Sequence, residues 1–460
     1  MSTAQPDDEL QTLRSYVLLG PDGDMVRELQ NSEAKQRIQA LLSQWLRMEN
    51  IVVLLGAGAS HGQGGPTMAM LEEFVLTELE SLCVAHAPLF PCLSLVRRRR
   101  ALPATKKTAF SFERWLTFLT NLEHVGTSPD SPASKVSFFG LNASGDPEET
   151  EVTASALTAL LKVIQYLVLL RCSLTLPELT TAAQGHHAFV AKLIARDPAL
   201  GRVHLFTTNY DTLIEQALDA LAVRYTDGFA GTIERRFDLA TYGLDMYYPG
   251  EVAEGRVRRY DKFLHLYKIH GSINWVRQPS GTVVQVPSVT PRPWATWQQL
   301  ELTQKLSSLA SLPELPMAVL PTENKFVETL GMPYALLFRM LHQRLQVPQT
   351  FFLLVGYGFS DPHVNSIIND ALTNPSLVLL VVDPFASAQL TQRITQYQQS
   401  GERAFLLTGN NPPGAVPTYA TFDDFAQRLL PHVKWIDDFV RLRKTEQTLR
   451  TTALNEGASP

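Results

Sequence analysis

The sequence predicts an α/β protein built on a doubly wound parallel sheet, with a large, mostly helical insertion and helical N- and C-terminal extensions. Two observations predict it. Short, mostly apolar runs recur at 51–55, 203–206, 264–269, 351–355 and 377–382. Most are followed by glycine or polar residues and then by apolar residues at helical spacing. Apolar runs of this length read as strands buried on both faces, and their alternation with helices reads as the crossovers of a parallel sheet.

Residues 1–32 alternate short polar and apolar pieces around a Gly20-Pro21-Asp22-Gly23 turn. Residues 33–48 carry Ile38, Leu41, Leu42 and Trp45 on one helical face. Together 1–48 are expected to form a helical extension. The first sheet strand then runs into Gly56-Ala57-Gly58-Ala59-Ser60, and 67–82 place Met68, Leu71, Val75, Leu79 and Leu82 at helical spacing. A strand, a glycine turn and a helix in that order aim backbone N–H groups and the positive helix end at a phosphate. The plainer reading is the tight strand-to-helix turn of any doubly wound protein.

Residues 86–200 read as the helical insertion, with helices over 110–122, 152–172 and 186–196. Between the first two, 126–151 is rich in Ser, Pro, Gly, Asp and Glu, lacks periodicity, and is expected to be an exposed loop. The helix at 154–170 is the most apolar, but Lys162 and Gln165 interrupt it and it is short of a membrane span, so it is expected in a core. Arg97, Arg98, Arg99 and Arg100, with Lys106 and Lys107, form either a solvated face or a contact for nucleic acid or an acidic partner.

The later strands end in Thr207-Thr208-Asn209-Tyr210-Asp211, in His270-Gly271-Ser272, in Gly356-Tyr357-Gly358-Phe359-Ser360-Asp361 and in Asp383-Pro384. A last strand at 404–407 and helices near 421–431 and 433–452 complete a C-terminal region, 401–460, expected to serve assembly or a partner. In an open parallel sheet the ligand sits at the carboxyl ends of the strands. Gly56, Gly58, Ser60, Asn209, Asp211, His270, Ser272, Gly356, Ser360 and Asp383 all fall there. Taken singly, an asparagine after a strand makes a turn or cap, a strand-end histidine packs, and Ser360-Asp361 caps a helix. Their shared edge is the functional signal.

The 460 residues leave room for two or three units or one large domain with insertions. A net charge of -5 gives no reason to expect bulk affinity for nucleic acid or an anionic membrane. Cys83, Cys92 and Cys172 are scattered and form no Cys-x-x-Cys pair, which supports neither a zinc site nor a disulfide framework and fits a reducing compartment. The first ten residues are polar and acidic rather than a secretory signal, so a cytoplasmic, membrane-free location is expected.

In this order, Gly-Ala-Gly-Ala-Ser (56–60), Thr-Thr-Asn-Tyr-Asp (207–211), His-Gly-Ser (270–272) and Gly-Tyr-Gly-Phe-Ser-Asp (356–361) resemble the sirtuin superfamily. They are most similar to the bacterial sirtuin-like domains of antiphage defence systems. Asp227-Gly228-Phe229, and Leu320-Pro321-Thr322 with Lys325, support the resemblance, which spans about residues 50–384. It implies a Rossmann-like NAD-binding domain over 49–400 that takes NAD as substrate and cleaves the nicotinamide–ribose bond without a metal. It implies that Gly56, Ala57, Gly58 and Ser60 cradle the pyrophosphate, and that Thr208, Asn209 and Asp211 lie by the nicotinamide ribose. It further implies that His270 is catalytic and that Gly356 and Ser360 line the phosphate and adenosine side. Asp383 would face the adenosine ribose, where a carboxylate accepts from both hydroxyls and disfavours a 2′-phosphate.

Two departures narrow this. The chain cannot build the four-cysteine zinc ribbon of protein-deacetylating sirtuins, and Gly64-Gly65-Pro66-Thr67-Met68 stands where they carry Pro-Asp-Phe-Arg. Water is then the expected nucleophile, with Asn209 on a ribose hydroxyl or the water and His270 as base toward either. A protein deacylase and a non-catalytic NAD or ADP-ribose sensor are the alternatives. An NAD hydrolase endangers its own cell, so the resemblance implies a toxic effector of abortive infection. It would be gated by homo-oligomerisation or by a partner such as an ATPase or another phage-sensing component.

Overall fold

The computed structural model describes residues 15–432 apart from 104–109, 128–134, 142–146, 180–184, 198, 249–258, 279, 288–293 and 311–331. In chain order its strands are β1 (Tyr16–Gly20), β2 (Gly23–Asp24), β3 (Asn50–Leu55), β4 (Lys135–Leu141), β5 (Pro147–Thr153), β6 (Val203–Thr207), β7 (Arg224–Thr226) and β8 (Phe229–Ala230). There follow β9 (Arg235–Phe237), β10 (Phe263–Lys268), β11 (Trp275–Arg277), β12 (Val283–Gln285), β13 (Thr350–Val355), β14 (Val378–Val382) and β15 (Ala404–Gly409). The main helices are α1 (Asn31–Trp45), α2 (Met68–Ala85), α3 (Leu93–Ala101), α4 (Phe112–Thr127), α5 (Ala154–Arg171), α6 (Gly185–Ile194) and α7 (Leu213–Ala220). The last five are α8 (Trp294–Gln298), α9 (Leu302–Ala310), α10 (Tyr334–Leu345), α11 (Pro362–Ala371) and α12 (Ala388–Gln399).

The main sheet has the order β2-β1-β15-β14-β13-β3-β6-β10-β7. From β15 to β7 the pairs are parallel, and β3 pairs with β13 from Asn50↔Thr350 to Leu55↔Val355. The apolar runs are unbroken because both faces are covered. Ile51, Val53 and Leu55 pack into one core with α1, α6 and α7, while Val52 and Leu54 pack into another with α10 and α11. The chain builds β6 and β10 to one side of β3 and then returns to lay β13 on its other side. The strand order therefore reverses between β3 and β13, and such a switch point leaves a crevice at the carboxyl ends of its strands.

Three expectations change. The N-terminal extension is not wholly helical: β1 adds antiparallel to β15 at the sheet edge, and the Gly20–Gly23 turn joins β1 to β2. Part of the expected loop at 126–151 is a hairpin of β4 and β5, with Val136 opposite Val152. Val136 and Val152 are buried among the hairpin residues whose burial is described, and in β5 the run of Glu148, Glu149 and Glu151 hid the strand period. The helix after the glycine turn does not lie against the sheet. The buried side of α2 packs with α3, α4 and α5 in the separate core of the insertion. The core placement expected for α5 holds: it is long and apolar enough to cross a membrane, but 67% of it is buried inside the protein.

The arginine run on α3 is neutralised from α2: Arg97 meets Glu80 at 3.0 Å, Arg99 meets Glu72 at 2.8 Å and Arg100 meets Glu80 at 2.6 Å. Lys106, Lys107, Leu320, Pro321, Thr322, Lys325 and the expected 433–452 helix lie outside the described residues.

Between β6 and β10, His204 and His265 stack at 4.9 Å and are buried. Burial, then Arg344, pushes the His265 ring down from 6.5 to about 4, and burial pushes His186 down to about 4. The unfolded chain therefore binds protons that the native chain refuses between these values. Stability is full above the ordinary histidine range and is lost as pH falls from 6.5 toward 4. The urea midpoint is expected to drop between pH 7 and pH 5, with a shallower drop in His265→Asn. An identical pH dependence in that variant would contradict the assignment.

Candidate active site

The first feature of the strand-end edge is a contact between two turns. A side chain on Gly56 would stand 2.5 Å from the Gly356 carbonyl, and one on Gly58 would stand 2.7 Å from the Gly356 Cα. Gly356 itself has φ +64°, and a Cβ there would meet Ala59 and Gly58 backbone within 2.7 Å. The Gly58 N–H donates to the Gly356 carbonyl at 2.9 Å, and the Gly356 N–H donates to Val382 at 3.1 Å. These glycines are needed so that the turn after β3 and the turn after β13 can touch through bare backbone.

Three more donors of this turn are taken up by backbone carbonyls. The Gly56, Ala59 and Ser60 N–H groups donate to the Val355, Gly56 and Ala57 carbonyls. Two 3₁₀ turns, Ala57–Ala59 and His61–Gln63, follow, and α2 begins only at Met68 under a Thr67 cap. Two compact turns thus separate β3 from α2, and within residues 56–60 the exposed members are Ala57 and Gly58.

Asn209 binds this turn from the end of β6. Its Nδ2 donates to the Gly56 carbonyl at 3.0 Å and to Ser60 Oγ at 2.8 Å. The Ser60 hydroxyl donates onward to Asp211 Oδ2 at 2.7 Å, and Asp211 Oδ1 accepts from the Leu213 N–H at the start of α7. Ser60 and Asp211 are buried, with their oxygens committed to this chain. They orient Asn209, whose amide hydrogens are both engaged. Its Oδ1 is then the atom suited to accept from a ligand hydroxyl. Thr208 donates to the Leu55 carbonyl through both N–H and hydroxyl, tying β6 to the end of β3.

His270 follows β10, next to β6 in the sheet, and Lys268 pairs with Thr207. Asn209 and His270 thus each stand two residues beyond a paired position. The buried His270 ring has Nε2 3.0 Å from Asp361 Oδ2 and lies 6.0 Å from the Phe338 ring. Asp361 also caps α11, its Oδ1 accepting from the His363 and Val364 N–H groups at 2.9 and 3.3 Å. The helix cap thus holds the Asp361 carboxylate with its other oxygen beside the ring. Sequence reading took Asp361 only as a cap; its position at the end of a glycine-rich strand turn was the available signal.

Ser360 is exposed beside Asp361, and Phe359 holds φ 54° in the same turn. Asp383 ends β14, where its Oδ1 accepts from the Phe385 N–H at 2.8 Å and burial pushes its carboxyl above the usual range. It follows Val382, whose carbonyl receives the Gly356 N–H. The structure therefore gathers Gly56, Ala57, Gly58, Ser60, Thr208, Asn209, Asp211, His270, Gly356, Ser360 and Asp383 along the carboxyl ends of β14, β13, β3, β6 and β10.

Residues 203–403 match the family model of the SIR2-like domain. The SIR2-like segment runs from β6 through α12, and so contains Asn209, His270, Asp361 and Asp383 but not the glycine turn after β3. Among solved structures, a SIR2 homolog–NAD complex is 13% identical over 85% of this chain and 92% of that chain, at a TM-score of 0.34. A Sir2 homologue mutant in complex with ADP-ribose is 12% identical over 87% of this chain and 97% of that chain, also at 0.34. No curated protein matches the chain.

Gly356→Ala is expected to destabilise the protein by about 3 kcal/mol, since it adds both a backbone clash and a left-handed non-glycine residue. Gly243→Ala, in open space, is expected to change stability by less than about 0.5 kcal/mol. Urea unfolding of the two variants checks this, and equal midpoints would contradict the close approach.

Proposed function

We propose that the chain hydrolyses NAD at the nicotinamide–ribose bond, releasing nicotinamide and ADP-ribose. The observation that supports this most is the meeting of Asn209 and His270 at adjacent strand ends, with Asp361 behind the histidine and the switch point beside them. Breaking this glycosidic bond passes through an oxocarbenium-like state, and nicotinamide leaves with the bonding pair. Asn209 Oδ1 accepts from a ribose hydroxyl and fixes the sugar. A water adds to the anomeric carbon and gives its proton to His270, and the imidazolium so formed lies 3.0 Å from the Asp361 carboxylate. The exposed Ala57 and Gly58 leave room for the pyrophosphate along the paired turns.

We further propose that this activity makes the chain a cytoplasmic effector of antiphage defence, depleting NAD when triggered. The gate would be assembly with copies of itself or with a sensing partner such as an ATPase. The resemblance of the four strand-end motifs carries this part of the reading.

The test is NAD loss by purified protein, alone and with the products of neighbouring genes. Equal amounts of nicotinamide and ADP-ribose are expected without any acylated peptide. Asn209→Ala and His270→Ala are expected to lower kcat by about 100-fold or more while the protein stays folded. Tight NAD binding without turnover would favour a sensor, and product formed only with an acetyl-lysine peptide would favour a deacylase.

A further inference from the structure

Lys268 is a buried cation at the end of strand β10, its side chain 2% exposed. Its ammonium group lies 2.8 Å from Glu215 Oε1 on α7, and Glu215 is itself only 9% exposed. It also donates to the Asp211 carbonyl and, at 3.4 Å, to the Tyr210 carbonyl. All three ammonium hydrogens have acceptors, and two of these are backbone atoms of the loop that carries Asn209.

Beyond His270, the same loop is held again. The Ile273 N–H donates to the Tyr210 carbonyl at 3.0 Å, and the Ser272 hydroxyl lies 3.3 Å from it. The Asn209 loop is therefore fastened to the chain on both sides of His270. Well-packed apolar residues replace a buried ion pair without loss of stability, so stability alone does not account for this one. Burial pushes the Glu215 carboxyl upward even beside Lys268, which shows the desolvation the pair sustains. What an apolar residue cannot do is donate to two carbonyls of a neighbouring loop.

We propose that Lys268 is a positioning residue: anchored by Glu215, it clamps the 209–211 loop in register with His270. Its kinetic consequence rests on the hydrolase reading; the placement itself does not.

The test is the double variant Lys268→Met with Glu215→Met, which leaves no lone buried charge. It is expected to melt cooperatively like the unsubstituted chain. Amides 207–213 are expected to exchange hydrogen about 10-fold faster or more, as local opening becomes easier. The kcat for NAD is expected to fall about 100-fold, with a much smaller change in KM, because the two groups are displaced relative to each other. A folded double variant with unchanged exchange and unchanged kcat would overturn the proposal.

Glu215→Gln keeps the shape but leaves the Lys268 ammonium without its counter-ion, so lower stability is expected, with smaller losses in exchange protection and kcat than in the double variant because both carbonyl bonds remain. Losses as large as those of the double variant would also overturn the proposal. If the unsubstituted chain consumes no NAD either alone or with the products of neighbouring genes, the hydrolase reading falls, and the exchange comparison alone decides the clamp.

Discussion

Where Gly56 and Gly58 meet Gly356, two turns from neighbouring parallel strands touch through backbone, with no side chain between them. The rest of the site follows from that approach. It sets the Gly56 carbonyl and the Ser60 hydroxyl where Asn209 can reach both. It also fixes the turn that ends in Asp361, and with it the carboxylate behind His270. A methyl group at any of the three glycines would part the turns. The glycine pattern is thus first a packing requirement, and the exposed edge it leaves is the candidate ligand surface.

The polar groups at this edge divide by what holds them. Ser60 and Asp211 are buried and bonded within the chain, so their work is to orient Asn209. Lys268 and Glu215 do the same from beneath the loop. Asp361 serves a helix end with one oxygen and a histidine with the other. A site organised in this way has rigid support one layer behind the groups that meet a ligand, which is what a reaction needing fixed geometry requires.

Much of this was legible in the sequence. The apolar runs gave the parallel sheet because strands buried on both faces lose their alternation, as at Ile51 to Leu55. The strand-end motifs placed Asn209, His270 and Asp383 on one edge because parallel strands end together. Other features depended on tertiary contacts with no local signature. In the hairpin of β4 and β5, β5 hides the buried Val152 behind Glu148, Glu149 and Glu151. The roles of Ser60 and Asp211 emerge only when the turn after β3 is folded against the loop after β6. Lys268 did carry a signal, a charge at the end of an apolar strand, but its partner on α7 is 53 residues away.

His270 and Asp361 are proposed to act as one unit. The most direct measurement is a double-mutant cycle on kcat for NAD, with His270→Ala, Asp361→Asn and the pair together; asparagine preserves the helix cap. Asp361→Asn is expected to slow NAD turnover by the otherwise unsubstituted chain but to add nothing once His270 is gone. Losses that multiply, as for independent residues, would contradict it.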